Sequence, residues 1–209
     1  ELTGQNVNII TILGGEPLLN KNVCEYLKLA RNFFPKSIIQ LTTNGILLPA
    51  MTADFWNCLK KNSIKLKPTK YPVKIDWNLI ADKCREFDIP FEFQKEVTTI
   101  YKIPLCLDGK SDPLKNWSGC KFANNCIFLK NGRLYTCTQA ANIDTFNAFY
   151  HTNIPDEGNS IDIHKAASLD EILSFLAKPI PFCSYCDFHR MRQNIKWCRG
   201  KPDLNEWTS

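Results

Sequence analysis

Residues 7–17, with the sequence VNIITILGGEP, place an apolar run directly before a turn that contains two glycines. Residues 7–13 have the length and composition of a buried β-strand, and the turn follows at the carboxyl end of that strand. Proteins with α/β folds bind their ligands at this end of their strands. Two glycines let a ligand approach the bare backbone, and their carbonyls can accept hydrogen bonds from an ammonium group. A tight strand-to-helix turn without a ligand is the alternative interpretation.

Short apolar runs and amphipathic segments alternate up to about residue 100. They predict further strands at residues 38–43, 64–69 and 91–94, and helices between Asn20 and Pro35, at residues 54–61, and at residues 77–87 behind the cap Asp76. Parallel strands joined by right-handed crossovers curl in one sense. The sequence therefore predicts an α/β fold, either an arc of a (βα) barrel or a piece of an open sheet.

A second polar turn, T-T-N-G at residues 42–45, ends the following strand in the same way as the first. Since carboxyl ends of parallel strands meet at one edge of the sheet, we expect the two turns to lie side by side. Their adjacency makes a ligand-binding rim a more specific prediction than either turn alone.

The alternation stops near residue 100, where cysteines, prolines and turn residues become frequent. This change divides the chain into residues 1–100 and a cysteine-rich α+β region at residues 101–209. Within the second region, Asn131-Gly132 separates two short apolar runs and predicts a β-hairpin with a type I′ turn. Ser168 and Glu171 predict a capping box at the start of a helix.

Five of the ten cysteines have spacings that suit a shared metal site. The candidates are Cys120, Cys126, Cys137, Cys183 and Cys186. Counting outward from the hairpin turn brings Cys126 opposite Cys137, with Cβ atoms roughly 4.5 to 5.5 Å apart, and C-x-x-C supplies two further thiolates. The cysteines of predicted helices, Cys24, Cys58 and Cys84, are expected to pack as small hydrophobic residues.

The two glycine-containing turns resemble those of the radical S-adenosylmethionine (SAM) superfamily, in which a G-G-E-P turn follows the second barrel strand and a T-N-G turn commonly follows the third. The resemblance implies a partial (βα) barrel whose rim binds SAM. The implied cofactor-binding residues are Gly14, Gly15 and Glu16 at the methionine end of the pocket, Thr43 and Asn44 close by, and Thr69 near the ribose.

The cysteines after residue 119 resemble the twitch and SPASM extensions of radical SAM enzymes, with the twitch form fitting better. The resemblance implies an auxiliary 4Fe–4S cluster held by Cys120, Cys137, Cys183 and Cys186, whereas hairpin geometry favours including Cys126. The choice of four ligands among five stays open. Zinc is the alternative metal, because tetrahedral thiolate sites use the same residue types and similar spacings.

The C-x-x-x-C-x-x-C motif that holds the catalytic 4Fe–4S cluster of radical SAM enzymes is absent from the chain. In the family this motif precedes the G-G-E-P turn, and only thirteen residues precede Gly14 here. We therefore expect an N-terminally truncated enzyme that carries no catalytic residue and is inactive in radical chemistry as given. The intact enzyme would form a 5′-deoxyadenosyl radical from SAM with an electron donor and attack an unknown small-molecule or peptide substrate. A zinc-binding structural or interaction module and a noncatalytic radical SAM relative are the alternatives.

Charge and hydropathy exclude other classes of function. The net charge is +5, but the basic residues are dispersed, so nucleic-acid binding is not expected. Apolar runs fall short of the roughly 18 to 20 residues that cross a bilayer, so no membrane association is expected either. With no visible signal peptide and with clusters that need reducing conditions, a cytoplasmic location is expected.

Overall fold

Parallel strands dominate the first half of the chain and antiparallel strands the second. The computed structural model describes residues 7–123, 125, 127–198 and 203–208. The chain divides into two compact units, of which the first ends at Thr98 and the second begins at Thr99, and each has its own hydrophobic core. The fold is mixed α/β, with a small parallel sheet in the first unit.

The larger sheet that the structure describes in the first unit has one central and two flanking strands. In spatial order they are β1 (Ile9–Ile12), β2 (Ile38–Leu41) and β3 (Ile64–Leu66). Ile39 and Leu41 of the central strand are fully buried. β1 has one strand neighbour among the described residues, and Ile9 is 54% exposed. The predicted strand is present, but its predicted burial is wrong because an edge strand is covered on one side only.

Helices connect the parallel strands. They are α1 (Val23–Phe33), α2 (Ala53–Lys61) and α3 (Trp77–Glu86). Asp76 begins α3 as predicted, since its carboxylate accepts hydrogen bonds from the backbone N–H groups of Asn78 and Leu79. The predicted cap of α1 is wrong: the Asn20 side chain accepts from the N–H of Asn22 at 2.9 Å and forms a turn before the helix.

The fourth predicted strand is only partly formed. Phe91 makes a single parallel bridge to Leu66, and regular pairing resumes between β4 (Thr69–Lys70) and β5 (Lys95–Glu96). Pro68 separates β3 from β4 because proline has no N–H group to donate to a ladder. Parallel pairing therefore extends beyond β3 in short pieces, and an arc of a barrel stays a prediction.

Arg31, near the end of α1, joins the carboxyl ends of two helices. Its guanidinium donates hydrogen bonds of 2.9 to 3.4 Å to the backbone carbonyls of Phe34, Pro35, Ser37, Asn62 and Ser63. The last turn of a helix leaves carbonyl groups without partners inside the helix. One side chain therefore satisfies carbonyls that follow both α1 and α2.

The described residues of the second unit form two antiparallel sheets and three α-helices. Its strands are β6 (Thr99–Lys102) paired with β10 (Arg192–Lys196), and β7 (Phe128–Lys130), β8 (Arg133–Tyr135) and β9 (Ser160–Asp162) in one sheet. Its helices are α4 (Pro113–Gly119), α5 (Ile143–Tyr150) and α6 (Leu169–Leu176). Phe182, only 1% exposed, lies in its core.

Local turn chemistry in the second unit follows the sequence closely. The predicted hairpin is confirmed, because Lys130 pairs with Arg133 and the turn residues Asn131 and Gly132 have φ values of 52° and 70°. Ser168 caps α6 by accepting from the N–H of Glu171 at 3.2 Å. The Glu171 carboxylate accepts from Ala167 instead of from Ser168, so the capping box is shifted by one residue.

Candidate functional site

The Glu16 carboxylate links the two turns at the carboxyl ends of β1 and β2. Its Oε1 atom accepts hydrogen bonds from the Thr43 hydroxyl at 2.6 Å and from the backbone N–H of Leu18 at 3.1 Å. Its Oε2 atom accepts from the backbone N–H of Asn44 at 2.8 Å. All three donors are neutral, so the carboxylate brings a negative charge to this rim.

Thr43 and Thr69 extend the same rim. Thr43 is 2% exposed, and its hydroxyl oxygen also accepts from the N–H of Gly45 at 3.1 Å. Thr69 is 6% exposed, and its backbone N–H donates to the Thr43 carbonyl at 2.9 Å. The structure thus brings the predicted rim residues Glu16, Thr43, Asn44 and Thr69 together.

Gly14 and Gly15 are exposed and face open space. A Cβ atom added at either position would meet no atom of another described residue within 4 Å, its two chain neighbours apart. By contrast, a Cβ atom on Gly45, where φ is +81°, would clash with the indole ring of Trp77. Glycine is therefore needed at position 45 for the fold, whereas the space at positions 14 and 15 is free for a ligand.

A buried hydroxyl beside the rim lacks a partner. Thr42 precedes Thr43 at the end of β2, and among the described residues its Oγ1 atom is buried without a hydrogen bond. Buried polar atoms in proteins are nearly always paired. The open space at the glycines and the carboxylate of Glu16 fit a polar cationic ligand at this rim, whereas the Thr42 hydroxyl is closed off from solvent.

Four of the five candidate cysteines influence one another electrostatically. Cys120 is the C-cap of α4, Cys137 follows β8, and Cys183 and Cys186 lie at a 3-10 turn. Burial raises the pKa of the Cys137 thiol to about 11, and Cys120 and Cys183 add to the rise. Burial is also the main cause of the raised pKa of Cys183 and of Cys186, with a further contribution from Cys120 in each case.

Backbone groups oppose this rise at three of the sulfurs. Hydrogen bonds from Ala140 and Gln139 lower the pKa of Cys137, and the backbone of Phe188 acts in the same direction on Cys186. The backbone of Ile180 does so for Cys183. Donors aimed at sulfur favour the thiolate, which is the form that binds metals. A cation among these sulfurs would also offset the repulsion between their thiolate forms.

The thiols do not form a finished metal site. Within the described ranges, no three His, Cys, Asp or Glu side chains lie close enough together to hold a metal ion. Cys126 lies outside the described residues, so its predicted place opposite Cys137 is untested. The hairpin ladder is described as far as the pair Phe128 and Tyr135. The choice among the five cysteines stays a prediction.

Cysteines of the first unit belong to its core. Cys58 and Cys84 are 7% and 2% exposed, which confirms that they pack as small hydrophobic residues. Burial raises the pKa of Cys84 to about 11. Burial and a hydrogen bond with Cys58 raise the pKa of the half-buried Cys24 to about 12. The thiols of Cys24 and Cys84 are therefore protonated at neutral pH.

One residue at the cysteine cluster was missed from the sequence. The buried Asn116 side chain donates hydrogen bonds to the backbone carbonyls of Cys183 and Cys186. Only its position four residues before Cys120 could have drawn attention to it.

No helix in the described part of the chain is long and apolar enough to cross a membrane.

A mixed α/β unit whose parallel strands end in a polar, glycine-containing rim defines an α/β protein with a candidate ligand site. Over 83 residues the chain is 34% identical to GTP 3',8-cyclase from Alkaliphilus oremlandii (strain OhILAs), a radical SAM enzyme. The match covers 40% of this chain and 23% of the cyclase, so the chain spans about a quarter of that relative's length. The similarity supports a distant relationship to radical SAM enzymes. No protein-family model matches the chain.

Proposed function

We propose that the chain is part of a radical SAM enzyme and that its rim binds the methionyl end of SAM. The observation that supports the proposal is that the Glu16 carboxylate accepts hydrogen bonds from the second turn, while the space beside Gly14 and Gly15 is unfilled by described residues. SAM carries an ammonium and a sulfonium group. Glycine carbonyls and the nearby Glu16 carboxylate suit the ammonium group. The negative charge of Glu16 favours both the ammonium and the sulfonium group.

The cysteine cluster would hold an auxiliary 4Fe–4S cluster of the twitch or SPASM type. Its ligands would be drawn from Cys120, Cys126, Cys137, Cys183 and Cys186, in an apolar shell with backbone donors at the sulfurs. In an intact enzyme of this class, SAM supplies a 5′-deoxyadenosyl radical that abstracts hydrogen from the substrate. Such an enzyme would act in the cytoplasm on a small-molecule or peptide substrate and would receive electrons from an electron donor.

Titration with SAM tests the rim. Amide chemical-shift changes in a ¹⁵N-labelled sample detect even weak binding, and we expect them to centre on Gly14, Gly15 and Asn44. S-adenosylhomocysteine is the matched control ligand, because it lacks the sulfonium charge, and it should bind less tightly. Shifts that are absent, or that centre away from the rim, would contradict the proposal.

Metal and sulfide analysis tests the cysteine cluster. After anaerobic reconstitution with iron and sulfide, we expect about four irons and four sulfides per chain, as a single 4Fe–4S cluster requires. The double variant Cys183→Ser/Cys186→Ser should lose them, whereas Cys84→Ser, which alters a core thiol of the first unit, should retain them. Tightly bound zinc without sulfide would instead favour a zinc-binding structural module.

Single substitutions can decide whether Cys120 or Cys126 is a metal ligand. If the family pattern is correct, Cys120→Ser lowers the metal content and Cys126→Ser leaves it unchanged. If hairpin pairing decides, Cys126→Ser lowers it.

Radical chemistry is not expected from this chain alone, because no C-x-x-x-C-x-x-C motif is present in its sequence. Incubation of the reconstituted protein with SAM and dithionite should yield no 5′-deoxyadenosine. Its detection would show that the catalytic cluster is not needed or is held by other residues.

A further inference from the structure

The Asn116 side chain spans the space between α4 and the C-x-x-C turn. It is 4% exposed, and its Nδ2 atom donates to the carbonyl oxygen of Cys183 at 2.9 Å and to that of Cys186 at 2.6 Å. The same helix ends at Cys120, its C-cap. One amide group therefore connects the helix that carries one candidate ligand with both candidate ligands of the turn.

All four carbonyls of the turn accept hydrogen bonds from residues 106–116. The two central carbonyls, of Ser184 and Tyr185, accept from the backbone N–H groups of Ser111 and Cys106 at 3.0 and 2.9 Å. The carbonyls of the two cysteines accept from the Asn116 amide. Only the carbonyls of the two cysteines depend on the Asn116 side chain. The backbone hydrogen bonds to the carbonyls of Ser184 and Tyr185 remain if Asn116 is substituted.

The position of Asn116 is itself fixed. The Asp112 carboxylate caps α4 by accepting from the N–H groups of Leu114 and Lys115, and the Asp112 carbonyl accepts from the N–H of Asn116 at 3.0 Å. A fixed helix and a two-point contact to the turn together hold the backbone of the helix that ends at Cys120 beside the backbone of the turn.

We propose that Asn116 is a positioning residue that holds the helix carrying Cys120 against the turn carrying Cys183 and Cys186, so that a metal ion or cluster can draw the three thiols together. This inference rests on the proposed metal-binding function of the cysteine cluster. Groups that orient metal ligands without touching the metal typically contribute 10- to 100-fold in affinity, about the range expected here.

Cobalt substitution tests the proposal on the full chain. Co²⁺ bound by thiolates absorbs in the near ultraviolet and visible, and its band intensities report the number of thiolates and the geometry. Asn116→Asp keeps the shape of the side chain but removes both amide donors. We expect it to weaken Co²⁺ binding about 10- to 100-fold and to change the visible bands of the bound ion.

Asn147→Asp is the matched control. Its amide donates to the carbonyl of Ile154 at 2.8 Å in the same unit, and the residue makes none of the contacts with the cysteines described for Asn116. The control should keep the wild-type cobalt spectrum even if its melting temperature falls. A purely structural role of Asn116 would likewise lower the melting temperature and leave the spectrum unchanged, and that result would overturn the proposal.

Asn116→Gln keeps the proposal testable if the aspartate variant fails to fold. Its amide is retained on a longer arm, so an altered spectrum with partial affinity is expected, and wild-type behaviour would again overturn the inference. If wild-type protein itself shows no thiolate–cobalt absorption, the metal-binding function fails first. That outcome is distinct from a wild-type spectrum that Asn116 substitutions leave unchanged.

Discussion

The rim of the first unit and the cysteine cluster of the second unit differ in whether their polar groups already have partners of opposite character. At the rim, one carboxylate is matched by donors from three residues, so the polar groups stabilise one another without a ligand. At the cysteine cluster, burial raises the pKa of the Cys137 and Cys186 thiols, and the neighbouring cysteines add to that rise. The rim is therefore organised without a ligand, whereas a cation would be needed to draw the cysteines together if they bind a metal as proposed.

Metal removal should give the largest difference between the two sites. A metal ion present at a thousandfold its Kd stabilises the state that binds it by about 4 kcal/mol, and a chelator removes that contribution. We expect amides around Cys137 and Cys183 to lose hydrogen-exchange protection, while those around Ile39 and Leu41 keep it. Equal loss in both units, or the same response in Cys183→Ser/Cys186→Ser, would contradict the comparison.

Alanine substitutions at two rim glycines should separate folding from binding. Gly45→Ala combines a left-handed backbone with a clash at Trp77, and we expect a loss of about 3 kcal/mol in the free energy of unfolding. Gly14→Ala adds a methyl group in open space. It should leave denaturant unfolding unchanged but weaken SAM binding by obstructing the backbone. Equal stability of the two variants would show that the turn at Gly45 adjusts.

Replacing the carboxylate that joins the two turns should have an intermediate effect. Glu16→Gln turns one acceptor oxygen into an amide NH2 group that faces the N–H of Asn44, and leaving such a donor unpaired costs about 1 to 3 kcal/mol. The variant should also discriminate less between SAM and S-adenosylhomocysteine. Glu92→Gln is the control, because Glu92 pairs with Lys65 and Lys67 at the surface and should melt close to the wild type.

The smallest expected effect concerns Thr69. Thr69→Val removes a hydroxyl while keeping the shape of the side chain and the backbone N–H that donates to Thr43. If the hydroxyl faces the ribose of SAM, affinity should fall about threefold, as expected for one neutral hydrogen bond. Thr69→Ser should bind like the wild type. Unchanged affinity in the valine variant would remove Thr69 from the site.

Short-range features were predictable from the sequence because their causes lie within a few residues. The cap at Asp76 and the turn at Asn131-Gly132 are examples. The burial of β1 was not predictable, since it depends on which strands lie beside it. The adjacency of the two rim turns followed from the parallel order, but the part played by Glu16 in joining them did not.

Long-range contacts account for what the sequence left open at the cysteines. Asn116 lies 67 and 70 residues from the two carbonyls that it contacts, and an asparagine in a helix has no pattern that predicts such partners. The hairpin register was predictable outward from its turn, yet the identity of the four ligands depends on how that hairpin meets the C-x-x-C turn. Spacing along the chain cannot decide this.

The contacts of Arg31 bear on how the first unit tolerates sequence change and salt. Each described acceptor is a main-chain carbonyl, so substitution at Phe34, Ser37, Asn62 or Ser63 leaves the acceptor in place. Because no carboxylate takes part in these contacts, they should also resist ionic strength that weakens surface ion pairs. Substitution of Arg31 would remove all five of these described hydrogen bonds, whereas substitution at Ser37 or Asn62 would cost only the bonds that their own side chains donate to the carbonyls of Val7 and Cys58.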